Sequence, residues 1–373
     1  MGMGDLLPPE AAIRRALSLR VLRSFELAGY ELVTPPVFEH ADVVARGNDA
    51  LESRDLLRFV EPESGEVAVL RPDITPQVAR IVATRLADRP APFRLCYEGR
   101  VFRRQRGRAR SHRQVTQAGV ECVGLPFAEG DTEVLALAVR ACEDAGLQEF
   151  RIELSDIRLV RSLLEAIPEQ ARAAVSEVMA QKDAASLRVI LRQGGVSRGV
   201  SQQLQALLHH YGERAVLDSA RGCFRGAKAQ AALRSLEEIT DRLVELGLGG
   251  RVCFDLSETR GLSYYTGMHF SILAHGPGEA LGGGGRYDTL LRRFGFDAPA
   301  TGFALDLGNL QWTLRASGQQ ALEPAKLRVA VAGNDGRGVQ AVAESLRRAD
   351  IVAATMPDAD AQRCLAFART WGY

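Results

Sequence analysis

Residues 100–113 read RVFRRQRGRARSHR, with seven arginines at 100, 103, 104, 106, 108, 110 and 113, and no acidic residue. Seven like charges repel one another unless an anion lies near. The runs on either side, 93–104 and 114–124, pattern as strands, so the arginine stretch is the loop of a β-hairpin. Such a loop is either a cationic surface suited to a polyphosphate or an RNA backbone, or a solvated loop with scattered ion pairs. The hairpin also constrains the fold. Further strand patterns fall at 66–71, 149–154, 251–256, 264–273 and 300–305, joined by hairpins, bulky inserts or single helices. Without a regular βαβ alternation, the expectation is α+β: a largely antiparallel mixed sheet with helices beside it.

Helical spacing marks 10–28, where Ile13, Leu17, Val21 and Phe25 recur every fourth residue, and also 75–87 and 130–145. From 155 to about 250 the chain is rich in Ala, Leu, Gln, Glu and Arg with almost no strand pattern, which reads as a helical insertion into a domain spanning 1–316. Residues 317–326 are a linker by composition. Residues 327–373 read as one β-α-β-α unit. With Lys+Arg 47 and Asp+Glu 46 the net charge is +1, which argues against a protein whose whole surface grips nucleic acid. No apolar run approaches the roughly 18 residues of a membrane span, and the N-terminus has no apolar signal region. None of the six cysteines falls in a C-x-x-C. The composition therefore points to a reduced, cytoplasmic protein without structural zinc.

Several small groups can carry chemistry. Asp73 and Thr75 follow a strand end in Arg71-Pro72-Asp73-Ile74-Thr75, where they can hold a ligand amine or cap the next helix. Gln117 and Glu121 are four apart on a strand and so share a face, either toward a pocket or toward solvent. Glu258, Arg260, Tyr264 and Tyr265 surround a glycine turn; the tyrosines suit a flat ring or a core. Gly282 to Gly285, ahead of Arg286-Tyr287-Asp288, need close backbone approach or positive φ at several positions. None of these is specific alone.

Their order is. Arg71-Pro72-Asp73-x-Thr75, Phe102-Arg103, Gln117-x-Gly119-x-Glu121, Arg260-Gly261-Leu262-x-Tyr264-Tyr265, Gly284-Gly285-Arg286-Tyr287-Asp288 and Gly302-Phe303-Ala304 together resemble histidyl-tRNA synthetase over about residues 3–312. The resemblance implies the class II synthetase fold and a dimer built around Pro36. It also implies a histidine pocket of Asp73, Thr75, Gln117, Glu121, Arg260, Tyr264, Tyr265 and Tyr287.

The departures narrow the family. Its third motif, G-F-A-x-G-L-E-R, is here Gly302-Phe303-Ala304-Leu305-Asp306-Leu307-Gly308-Asn309, so the catalytic arginine is replaced by Asn309. Loss of one such transition-state contact costs roughly 10²–10³ in rate. The second motif's F-R-x-E is Phe102-Arg103-Arg104-Gln105, and the tail matches only about half of an anticodon-binding domain. Ser263 stands where the synthetase usually has Asp. This pattern is similar to the regulatory-subunit family of ATP phosphoribosyltransferase, synthetase paralogues without aminoacylation. The similarity implies a non-catalytic protein without cofactor, partnered by a short catalytic subunit in the first step of histidine biosynthesis. It further implies free histidine as ligand, a homodimer within a hetero-oligomer, and no nucleic acid or membrane partner. Arg103, Arg106, Arg110 and Arg113 are then candidates for contacting that partner or its anionic substrates. The alternatives are a synthetase with a degenerate third motif and a stand-alone RNA-binding module.

Overall fold

The computed structural model describes residues 4–47, 56–102, 114–259, 261–262, 264–319, 327–356 and 359–373. The chain divides into two compact units between Gln320 and Ala321.

The first unit opens with helix α1 (Glu10–Leu27). Its buried Leu17, Val21 and Phe25 form a stripe of spacing four, the signature of a helix with one face in a core. Gly29, at φ 85°, turns the chain out of it, a conformation that glycine adopts without steric penalty. Next come β1 (Glu31–Leu32), β2 (Phe38–His40), α2 (Ala41–Gly47), β3 (Arg58–Val60), β4 (Val67–Leu70) and α3 (Thr75–Ile81). The helical run expected at 75–87 is present, but α3 widens into a π-helical turn over Val82–Leu86. The hairpin is β5 (Phe93–Phe102) and β6 (Gln114–Val123), paired antiparallel over ten residue pairs. Its arginine loop, including Arg103, Gln105, Arg106, Arg110 and Arg113, lies outside the described residues. Helix α4 (Glu129–Asp144) and β7 (Arg151–Asp156) follow.

The insertion is helical: α5 (Ile157–Leu164), α6 (Glu169–Ala180), α7 (Ala184–Gln193), α8 (Arg198–Leu207), the two-residue β8 (Tyr211–Gly212), α9 (Ala215–Cys223) and α10 (Ala227–Glu245). Asp156, Asp183 and Ser197 cap α5, α7 and α8 through their side chains, each satisfying backbone N–H groups that a helix start leaves open. The chain returns through β9 (Val252–Asp255), β10 (Met268–Leu273), β11 (Gly282–Arg286), β12 (Ala300–Asp306) and α11 (Leu307–Ala316).

Nine strands form one sheet in the order β1-β5-β6-β12-β11-β10-β7-β9-β8. Only β1–β5 and β7–β9 pair parallel; the rest is antiparallel, as the hairpins require. A small sheet, β2-β4-β3, lies apart from it. The second unit contains β13 (Arg328–Val331), α12 (Gly336–Arg348), β14 (Val352–Thr355) and α13 (Ala361–Trp371), with its two strands parallel. No described helix is long and apolar enough to cross a membrane.

Alternation along the central strands separates two unlike faces. One carries Cys96, Val120, Phe303, Leu305, Phe270, Ile272 and Leu154, all buried in the main core, against α1 and α4. The Phe25 ring meets Phe303 edge-on at 5.6 Å. The other face follows from the register. Glu121 pairs with Gly302, Gly302 with Gly285, Gly285 with His269, and His269 with Ser155. One step along, Tyr97 pairs with Gly119, Gly119 with Ala304 and Ala304 with Gly283. That face is rich in glycine and polar side chains, whereas its opposite is mainly Val, Leu and Phe, with Gly282 and Gly284 of β11 set among them.

Candidate functional site

The glycines of this face are there because the backbone comes close. A Cβ on Gly119 would lie 2.5 Å from the Phe303 carbonyl oxygen and 2.6 Å from the Tyr97 hydroxyl; one on Gly285 would lie 2.5 Å from the Met268 carbonyl. On Gly302 it would strike the Glu121 carboxylate and the Val120 carbonyl. Contacts this short do not occur for real side chains, so these positions are restricted to glycine. The tetraglycine is therefore a strand, β11, and close approach is its main reason. Of the two reasons expected, close approach and positive φ, the second applies within 282–285 only at Gly285.

Glu121 lies over this floor and is 2% exposed. Its carboxylate accepts hydrogen bonds from the Tyr97 hydroxyl, at 3.1 Å, and from the Tyr287 hydroxyl. Burial pushes its carboxyl well above the usual carboxylate range; the Thr75 hydroxyl opposes this, Asp73 adds to it, and Tyr97 opposes it. The same surroundings hold the Tyr97 and Tyr264 phenols well above their ordinary range, with desolvation first and the Asp73 and Glu121 charges next. Asp73, Thr75, Glu121, Tyr264 and Tyr287 are thus within electrostatic reach of one another, joined from β6, the β4–α3 turn and two later loops.

The walls are aromatic. Tyr264 lies 5.3 Å from Tyr287 and 5.2 Å from Tyr265, and Tyr265 stacks on His269 at 5.4 Å and 14°. Among the described residues, the buried polar atoms without a hydrogen-bond partner include the Tyr264 hydroxyl and Gln117 Oε1. A buried polar atom left unpaired costs about 1–3 kcal/mol, which a polar ligand would offset. Gln117 and Glu121 do share a face, the one that lines the site. Asp73 does not cap α3, whose start has no side-chain cap; it accepts from the Ile74 N–H at 2.8 Å instead. Arg260 and Ser263 lie outside the described residues.

Sequence reasoning passed over three contributors. Tyr97 and His269 are found only by carrying the alternation of β5 and β10 across the sheet. Arg71, 5% exposed, was quoted for its motif but given no role. It donates to the carbonyls of Arg100, at 2.7 Å, and Pro35, at 2.9 Å, and so fixes the turn that carries Asp73.

The third-motif end differs. Asp306 caps α11, accepting from the N–H groups of Gly308 at 2.7 Å and Asn309 at 3.1 Å. The Asn309 amide donates to the Ala280 carbonyl at 3.3 Å. Arg286 is likewise held: it pairs with buried Asp131 at 2.7 Å and with Asp288 at 2.9 Å.

Comparison with known proteins agrees with this fold. The family model for histidyl-tRNA synthetase matches residues 2–310. A protein of Moorella thermoacetica called ATP phosphoribosyltransferase regulatory subunit is 39% identical over 93% of this chain and 88% of its own length. One of Syntrophotalea carbinolica with the same name is 36% identical, over 93% of this chain and 82% of its own. Among solved structures, a Bacillus halodurans protein described as an ATP phosphoribosyltransferase regulatory subunit/histidyl-tRNA synthetase superposes with a TM-score of 0.87 at 28% identity. That match covers 99% of this chain and 94% of the other.

Proposed function

The chain belongs to the family of ATP phosphoribosyltransferase regulatory subunits, which share the histidyl-tRNA synthetase fold, and we propose that it binds a short catalytic subunit and makes its activity responsive to free histidine. The observation that carries this is the contrast between the two ends of the site. At one end the glycine floor lies under buried Glu121, which accepts from Tyr97 and Tyr287, with Tyr264 and Tyr265 beside them, a set of groups suited to a small polar ligand. At the third motif a neutral Asn309, hydrogen-bonded to a backbone carbonyl, stands where the synthetase needs a cation.

In this reading Asp73 and Thr75 hold the α-ammonium group of histidine. Glu121 and Tyr265 address the imidazole nitrogens, Gln117 and Arg260 lie near the main-chain end, and Tyr264 and Tyr287 form the walls. An imidazole offers one donor and one acceptor when neutral, and a carboxyl with a phenol can pair both. The reaction belongs to the partner, a glycosyl transfer between ATP and phosphoribosyl pyrophosphate; this chain contributes control and no cofactor. Arg103, Arg106, Arg110 and Arg113 are proposed to meet the partner or its anionic substrates. Phe38 and Phe59, packed edge to face at 5.4 Å yet 43% and 37% exposed, suit a homodimer contact beside Pro36. The 1–316 domain, its insertion at 155–250, the 317–326 linker and the 327–373 unit are proposed as the functional divisions of a cytoplasmic protein.

The test is phosphoribosyl-ATP formation by the short subunit alone, with this chain, and with this chain plus histidine. The expected result is activation by the chain and inhibition of the mixture by histidine. Equal activity alone and mixed, with no shared peak on gel filtration, would overturn the reading.

A further inference from the structure

The segment between β9 and β10 carries Tyr264 and Tyr265 into the pocket, and its fixed points come from the helical insertion. From α5, the Arg161 guanidinium donates to the carbonyls of Leu262, at 2.6 Å, and Tyr265, at 2.7 Å. From α6, the Ser176 carbonyl accepts from the Thr259 hydroxyl at 3.2 Å. From the α6–α7 turn, Lys182 Nζ reaches Asp255 Oδ2 and Ser257 Oγ, both at 2.5 Å. Lys182 holds a φ of 56°, uncommon for a residue with a Cβ and seen where surroundings over-determine the backbone. Ser257 also donates to Asp255 Oδ1 at 2.8 Å, so the lysine closes a three-membered cluster at the strand exit. On the pocket side, the Thr266 N–H donates to the Arg286 carbonyl at 2.7 Å.

We propose that Arg161 and Lys182 are positioning residues through which the helical insertion sets the place of Tyr264 and Tyr265, so that the insertion and the pocket form one coupled element. Arg161 is the stronger of the two. A single planar guanidinium spans two carbonyls on one turn, and hydrogen bonds from a charged donor are about twice as strong as neutral ones. Both bonds leave the same nitrogen, Nη2, so a lysine ammonium replaces them in part but without the planar, pre-organised geometry of the guanidinium. By linkage, a ligand that orders the tyrosines must tighten the helices that hold them, and loosening those helices must weaken the ligand. The histidine arm of the test rests on the function proposed above; the ligand-free arm does not.

The experiment is hydrogen exchange on the full chain as wild type, Arg161→Met, Arg161→Lys, Lys182→Met and a control, Lys228→Met, which removes only an exposed ion pair with Glu165. Without ligand, exchange over 261–267 should rise about tenfold or more in Arg161→Met, less in Arg161→Lys and Lys182→Met, and not in Lys228→Met, while β6 and β12 stay protected. With histidine, wild type should gain protection at the α6–α7 turn; Arg161→Met should lose that response and bind histidine at least about tenfold more weakly. Unchanged exchange over 261–267 in a folded Arg161→Met overturns the proposal whatever histidine does. Raised exchange there, with no histidine binding by wild type, upholds the positioning role and removes the pocket reading instead.

Discussion

The two faces of the central sheet are made from the same strands, yet one neighbour along the chain changes everything. On β12, Phe303 is buried against Phe25 and Phe270, while Gly302 beside it has no room for a methyl group. On β6, Val120 is core and Glu121 is a buried carboxyl with a strongly raised pKa. The core face supplies stability through area removed from water. The glycine face gives that up at several positions and in return brings backbone and a few polar groups to a ligand. If this division holds, substitutions one residue apart should fall into different experiments.

The largest expected effect is on the core side. Phe303→Ala should lower unfolding free energy by about 3–5 kcal/mol, read by urea denaturation, while the fraction that remains folded binds histidine as before. A matching loss of affinity in the folded fraction would break the distinction between the faces. Next is Glu121→Ala, which should weaken histidine binding about 5- to 150-fold in calorimetry, from about 1–3 kcal/mol of unpaired polar group. Unchanged affinity would remove the pocket from the argument.

Glu121→Gln sharpens the comparison through pH. The folded-state pKa of Glu121 lies above its unfolded value, so its stabilising contribution is full below the unfolded pKa and is lost as pH rises through the folded one. Melting temperatures of wild type and Glu121→Gln should therefore diverge with rising pH, the glutamine variant becoming relatively more stable. Parallel curves would mean that Glu121 is ionised at little penalty. The smallest effect is expected at the third motif. Asn309→Arg removes one long hydrogen bond, to Ala280, and should change stability by about 1 kcal/mol or less. It should not create histidine-dependent ATP–pyrophosphate exchange. Exchange above background would revive the synthetase alternative.

Much of this was legible in the chain because period and punctuation are local. The stripe of Leu17, Val21 and Phe25 and the long hairpin strands are patterns within a few residues. So is the same-face pair Gln117 and Glu121. What was not legible depends on register. The tetraglycine was legible as a place of close backbone approach or positive φ, but that it is a strand shows only in its register against β10 and β12. Strand β10 begins at Met268, not 264, because Thr266 is drawn to the Arg286 carbonyl 20 residues away. Tyr97, His269 and Arg161 had no motif to mark them, since their roles arise from partners distant in sequence.

The glycine floor also bears on how such a protein can evolve under selection. If the pocket is a feedback sensor, selection for overproduction of the end product favours mutants that ignore the signal. The floor leaves them few routes. Any side chain at 285 meets the Met268 carbonyl at 2.5 Å, and any at 302 meets backbone and carboxylate together, so such variants lose the sheet along with the sensor. Escape is left to the side chains that would face the ligand, Glu121, Tyr264, Tyr265 and Tyr287 among them, and to the loops that hold them, where change is compatible with a folded chain.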